Sequence, residues 1–72
     1  MSTRNKLRRI IKLGWRIDIN IFFDNDAVKF YSWKATSISN GTKESTEHFC
    51  NIKDTVANLY SKIMEIPVKD II

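Results

Sequence analysis

The chain has one cysteine and two glycines among its 72 residues, and each scarcity closes off a class of protein. A single thiol, Cys50, forms no internal disulfide. Tiny secreted domains normally carry several bridges, so a reducing cytoplasm is the expected compartment. The two glycines, Gly14 and Gly41, stand in separate contexts and build no phosphate-cradling loop. One cysteine and one histidine fall short of the three or four ligands of a zinc site, and the carboxylates are scattered. No metal and no cofactor is therefore expected. No run approaches the ~20 apolar residues that span a bilayer. The first residues are charged but lack an apolar segment followed by a small-residue cleavage site, so neither membrane contact nor a secretion signal is expected.

What is present is ordinary for a folded protein: 43% hydrophobic and 28% charged residues. At this length there is room for one small core, burying only about 60% of the surface that the unfolded chain exposes. The net charge of +4 hides an asymmetry. Arg4, Lys6, Arg8, Arg9, Lys12 and Arg16 precede the first acid, Asp18, whereas beyond Arg16 the acids outnumber the lysines. The basic character belongs to the head of the chain.

Hydrophobic spacing sets the elements. Ser2 or Thr3 can cap a short basic helix over 4–13, with Leu7, Ile10 and Ile11 on one face and Gly14 as its stop. Ile17, Ile19, Ile21 and Phe23 recur with the period of two of a half-buried strand. Asp24-Asn25-Asp26 forms a turn through side chains that bond their own backbone. A second strand runs over 27–38, where adjacent Phe30 and Tyr31 must face opposite ways unless a bulge intervenes. Asn40-Gly41 suits a tight primed turn into a polar third strand over 42–49, an edge guarded by charge. Asn51 caps a helix with the stripe Ile52, Val56, Leu59, Tyr60 and Ile63, which Pro67 ends. The expected fold is one α+β domain: a three-stranded antiparallel β-meander with a C-terminal helix packed on one face and a short basic N-terminal helix. Its parts are a helical head over 1–14, the sheet over 15–50, the helix over 51–66 and a tail over 67–72.

Reactive chemistry is sparse. His48 and Cys50 lie two apart and would share a strand face, but a nucleophilic dyad also needs an orienting group, an oxyanion site and a cleft. A surface histidine beside a half-buried cysteine is the plainer reading. Asp24 and Asp26 serve more simply as turn formers than as paired catalytic carboxylates. No catalytic residue is assigned and no enzyme is expected, which leaves binding.

Two surfaces compete for that role. Lys6, Arg8, Arg9, Lys12 and Arg16 could meet phosphates or an acidic protein, with Trp15, Phe22, Tyr31 and Trp33 as stacking partners where exposed. Asp24, Asp26, Lys29, Tyr31 and Trp33 would form a protein-binding surface on the exposed sheet face and hairpin rim. Acids at the rim and on the edge strand, Glu44 and Glu47 among them, could also imitate phosphates.

The order of elements resembles that of small phage-encoded inhibitors, some anti-CRISPR proteins of the type I-F group. Ile17 to Phe23, the turn at Asp24–Asp26, the aromatic strand to Ile38, Asn40-Gly41-Thr42-Lys43, and His48-Phe49 leading into the helix from Ile52 carry the likeness over 17–63. The turn is one residue longer than in that pattern, and the basic head lies outside it. The resemblance implies a non-enzymatic inhibitor that acts in a host cytoplasm by binding a host protein or ribonucleoprotein complex such as a CRISPR effector. The alternative is a small nucleic-acid-binding accessory protein that uses the basic head and the sheet aromatics. A homodimer joined by the polar edge strand or the apolar helix stripe is a third reading.

Overall fold

A computed structural model describes residues 1–65, so the expectations for Ile66, Pro67 and the tail to Ile72 lie outside the described residues. The elements are α1 (Thr3–Lys12), β1 (Arg16–Phe23), β2 (Lys29–Ser37), β3 (Gly41–Glu44) and α2 (Ile52–Met64), an α+β arrangement. The strands form one antiparallel sheet in the order β1-β2-β3. No helix among the described residues is long and apolar enough to cross a membrane.

Local side-chain chemistry sets the ends of α1. The Ser2 hydroxyl accepts the Asn5 N–H at 3.1 Å, satisfying one of the donors that a helix leaves free at its start. At the far end Leu13 donates to Arg9 and Ile10, and Gly14 takes φ 94°, a conformation that a Cβ would strain. The reversal returns Trp15 over the helix it has just left, its N–H donating to the Ile10 carbonyl at 3.3 Å. Ile10 and Trp15 are consequently both buried.

The β1–β2 turn is held by Asp24. Its Oδ1 accepts the N–H groups of Asp26 and Val28 at 2.8 and 2.9 Å, and its own N–H donates to the Val28 carbonyl. Ala27 adopts φ 62°, a strained left-handed conformation for a residue with a side chain. The β2–β3 turn differs from the expected primed pair. Gly41 alone has positive φ, at 75°, and pairs with Ser37, so Ile38, Ser39 and Asn40 make the turn. The Ser37 hydroxyl accepts the Asn40 N–H at 2.9 Å and supports this wider form.

The third strand stops at Glu44, short of the expected 42–49. The cause is Ser45, which brackets Trp33: its hydroxyl accepts the Trp33 N–H at 3.2 Å and its own N–H donates to the Trp33 carbonyl at 3.0 Å. A continuous ladder would set Glu47 against Tyr31; Phe49 stands there instead, exchanging two backbone bonds with it at 2.7 and 2.9 Å. Thr46, Glu47 and His48 bow out between these two anchor points.

In α2 the Asn51 side chain accepts the Asp54 N–H at 2.7 Å and donates to the Asp54 carboxylate at 3.1 Å. The buried stripe is Thr55, Val56, Leu59 and Ile63. Ile52, expected there, is exposed, and Thr55 takes the place beneath the cap by bonding the Asn51 carbonyl at 2.7 Å. The core joins α1, β2 and α2 through Ile10, Trp15, Trp33, Ala35, Leu59 and Ile63, with Leu7, Ile17, Ile19, Phe49 and Tyr60 packed around them. Trp33 lies at its centre, 2% exposed, and its indole N–H donates to Asn58 Oδ1 at 2.9 Å.

The β1–β2 register is regular, so Phe30 and Tyr31 take opposite faces without a bulge. Replacing Asn58 by Ala should cost about 1–3 kcal/mol, because the buried indole donor would lose its partner. Urea unfolding measures this, and an unchanged midpoint would show that the bond contributes nothing.

A basic helical stripe and an uncovered hairpin end

The 3.6-residue period of α1 divides its charges between two sides. Leu7 and Ile10 turn inward, while Arg4, Arg8, Arg9 and Lys12 share the outer side and are exposed. Successive members three or four positions apart lie about 5–6 Å from one another at Cβ. Met1, Asn5, Arg8, Arg9 and Lys12 line a shallow depression of about 370 Å³ along this side. The first turn carries no acid, and no acid occurs before Asp18. Lys6 departs from the stripe: it is half-buried toward α2, its ammonium 6.0 Å from the centre of the Tyr60 ring. Arg16 also stands apart, exposed at the start of β1 and paired in register with Thr36. Three of the five expected cations, Arg8, Arg9 and Lys12, thus come together with Arg4.

The protein-binding set is distributed differently. Register and alternation place Ile17, Ile19, Ile21 and Phe23 on the same face as Ala35, Trp33, Tyr31 and Lys29. That is the face the helices cover, as the burial of Trp33 and Ala35 shows. Trp33 was expected on an exposed face; its indole is instead the centre of the core and offers no surface. Tyr31 is half-buried, with the Lys29 ammonium 5.4 Å from its ring centre. Asp24, Asp26 and Lys29 are exposed at the hairpin end. The helices do not reach that end, and Ile21, Phe23 and Val28 remain 54%, 63% and 46% exposed there.

On the opposite, open face the aromatic residues are Phe22 and Phe30, stacked with centroids 5.8 Å apart. His48, from the segment that bows out after Ser45, sets its ring edge-on to Phe22 at 4.6 Å and lies 6.4 Å from Phe30. The imidazole is thus engaged with a hydrophobic pair, and Cys50 is an exposed free thiol. Elsewhere on this face the register aligns Asp18, Lys34 and Glu44 across the three strands, a mixed-charge row in solvent.

Sequence reasoning missed one concavity, a cleft of about 420 Å³ between β3 and α2. Trp33, Ser45 and Asn58 line it, with Lys43, Lys62, Glu44 and Glu65 also at its walls. No local pattern announces it, because its walls come from segments distant in the chain. Ser45 and Asn58 already satisfy the groups of Trp33, and the flanking charges balance in sign. The cleft therefore selects for neither an anion nor a cation. Among the described residues no cluster of three or more His, Cys, Asp or Glu side chains could hold a metal ion. No protein-family model, curated protein or solved structure matches the chain.

The packing of His48 against Phe22 and Phe30 gives a simple expectation for Cys50. His48→Ala should leave the rate at which the native thiol reacts with a chromogenic disulfide unchanged within about twofold, since thiol reactivity follows its immediate charged neighbours. A tenfold fall would show that the two side chains act as a dyad.

Proposed function

We propose that the chain is a non-enzymatic binding domain that grips nucleic-acid phosphates along α1. The observation that carries this reading is the exposed stripe of Arg4, Arg8, Arg9 and Lys12 on a helix without an acid. A ten-residue helix is about 15 Å long. A single strand of duplex presents a phosphate every ~3.4 Å of axis, so four cations along α1 meet about four phosphates. Of the four aromatic residues that could stack on bases, Trp15 and Trp33 are buried, and Phe22 and Tyr31 are half-buried on the sheet rather than on α1. The contact is accordingly with the backbone and independent of sequence.

A second reading, a protein-binding inhibitor directed at a host complex, draws support from the hairpin end. Ile21, Phe23 and Val28 are exposed there beside Asp24, Asp26 and Lys29, a mixture of apolar and charged groups suited to a protein surface. It loses Trp33 as an anchor, and for that reason the basic stripe takes precedence.

Titrating labelled duplex DNA of unrelated sequences at several salt concentrations tests the leading reading. Affinity should be sequence-independent, with a log–log salt slope near −3.6, about −0.9 per phosphate for four contacts. Replacing both Arg8 and Arg9 by Glu should at least halve that slope while leaving the circular dichroism unchanged. Absence of binding at low salt, or an unaltered slope in the double variant, would sink the reading.

A further inference from the structure

We propose that two copies of this chain pair through the free edge of β1, antiparallel and about a two-fold axis, to form a continuous six-stranded sheet. This goes beyond the binding reading and uses residues outside the basic stripe.

The two sheet edges differ in kind. On one side β3 is four residues long, carries Lys43 and Glu44, and is exposed throughout, a short and charged edge that resists pairing. On the other side β1 presents eight residues whose outer backbone groups have no strand beside them among the described residues. It contains no proline and no lysine, and its register with β2 is unbroken by a bulge, so three of the usual protections of an edge are missing from it. Its two charged residues, Arg16 and Asp18, alternate with Ile17 and Ile19 and so point to the open face.

The apolar residues of the same strand indicate what sits beside it. Ile21 and Phe23 point to the face that the helices cover, yet lie beyond their reach, 54% and 63% exposed. A second copy running antiparallel would bring its own helix-covered half beside them. With Asn20 on the axis, Ile21 faces the second copy's Ile19 and Phe23 faces the second copy's Ile17, all on one face, as antiparallel pairing requires.

Charge selects this register. With Asn20 central, Arg16 lies opposite the second copy's Asp24, twice by symmetry. Centring on Asp18 sets that carboxylate against itself, and centring on Ile21 sets Asp18 against Asp24. Centring on Ile19 opposes no unlike charges and carries Phe23 past the start of the second copy's strand, to Trp15; the Asn20 register in turn sets Asp18 opposite Phe22. Only the Asn20 register joins nearly the full strand, matches both exposed apolar residues with isoleucines and opposes unlike charges. The interface is isologous and closes on itself, so it yields a dimer rather than a fibre.

Sedimentation equilibrium on the full chain, without nucleic acid, tests this. A monomer–dimer equilibrium is expected, and Ile21→Lys should weaken it by about tenfold or more, the effect of roughly 1.4 kcal/mol. Ile38→Lys serves as the control, because Ile38 is fully exposed in the other hairpin; its dimer should match the parent. Should Ile21→Lys fail to fold, Arg16→Glu replaces it, setting like charges opposite Asp24 and weakening the dimer likewise. A chain that stays monomeric up to millimolar concentration overturns the proposal, as does a dimer that the β1 variants leave intact or that Ile38→Lys disrupts equally. Failure here leaves the salt-dependence experiment on DNA untouched, because that readout concerns α1.

Discussion

The indole of Trp33 is where the sheet and the helices meet. A buried tryptophan removes about 150–250 Å² from water, which at ~25 cal/mol per Å² corresponds to about 4–6 kcal/mol. The whole domain, at the usual scale per residue, is stable by roughly 4–10 kcal/mol. One side chain therefore supplies a stabilisation comparable to the net total. Its polar groups are met as well: Asn58 of α2 accepts the indole N–H, and Ser45 closes on its backbone from the end of β3. Burial without those partners would cost much of what burial contributes.

Building the core around one residue of β2 limits how far it extends. The helices cover the sheet where Ala35, Trp33, Ile17 and Ile19 lie, and the remainder of that face, from Ile21 and Tyr31 to the hairpin, stays wholly or partly open. The outcome is a domain with two exposed surfaces of different chemistry. One is the cationic side of α1, which faces away from the core because its inward positions are held by Leu7 and Ile10. The other is the exposed hairpin end with the edge of β1, unpaired among the described residues. If a second copy covers that edge, Ile21 and Phe23 are withdrawn from any other partner, while both basic helices remain free.

Much of the fold was legible because its signals are local. Ser2, Gly14 and Asn51 bound the helices through short-range hydrogen bonds and one positive φ, and the alternation from Ile17 to Phe23 announces β1 without help from the rest of the chain. The basic stripe was partly legible, since helical spacing groups Arg8, Arg9 and Lys12, but nothing local says that Lys6 turns toward Tyr60. The sheet faces were not legible. β2 carries aromatic residues at both parities, Phe30 on one and Tyr31 with Trp33 on the other, so which face the helices choose depends on packing with Ile10, Leu59 and Ile63. The early end of β3 was hidden for a related reason: Ser45 bonds a residue twelve positions away, and the excess chain bows out as Thr46–His48.

Hydrogen exchange at the Trp33 indole tests the central role of that side chain most directly. Trp33 and Trp15 give separate indole N–H signals by NMR, assignable by single replacement. If the Trp33 indole is released only by global unfolding, its N–H exchanges about a thousandfold or more slowly than a free indole, at the same opening free energy as the most protected amides of α2. Rapid exchange of that proton while the α2 amides remain protected would contradict the account, since the helix would then hold without its clasp on the sheet.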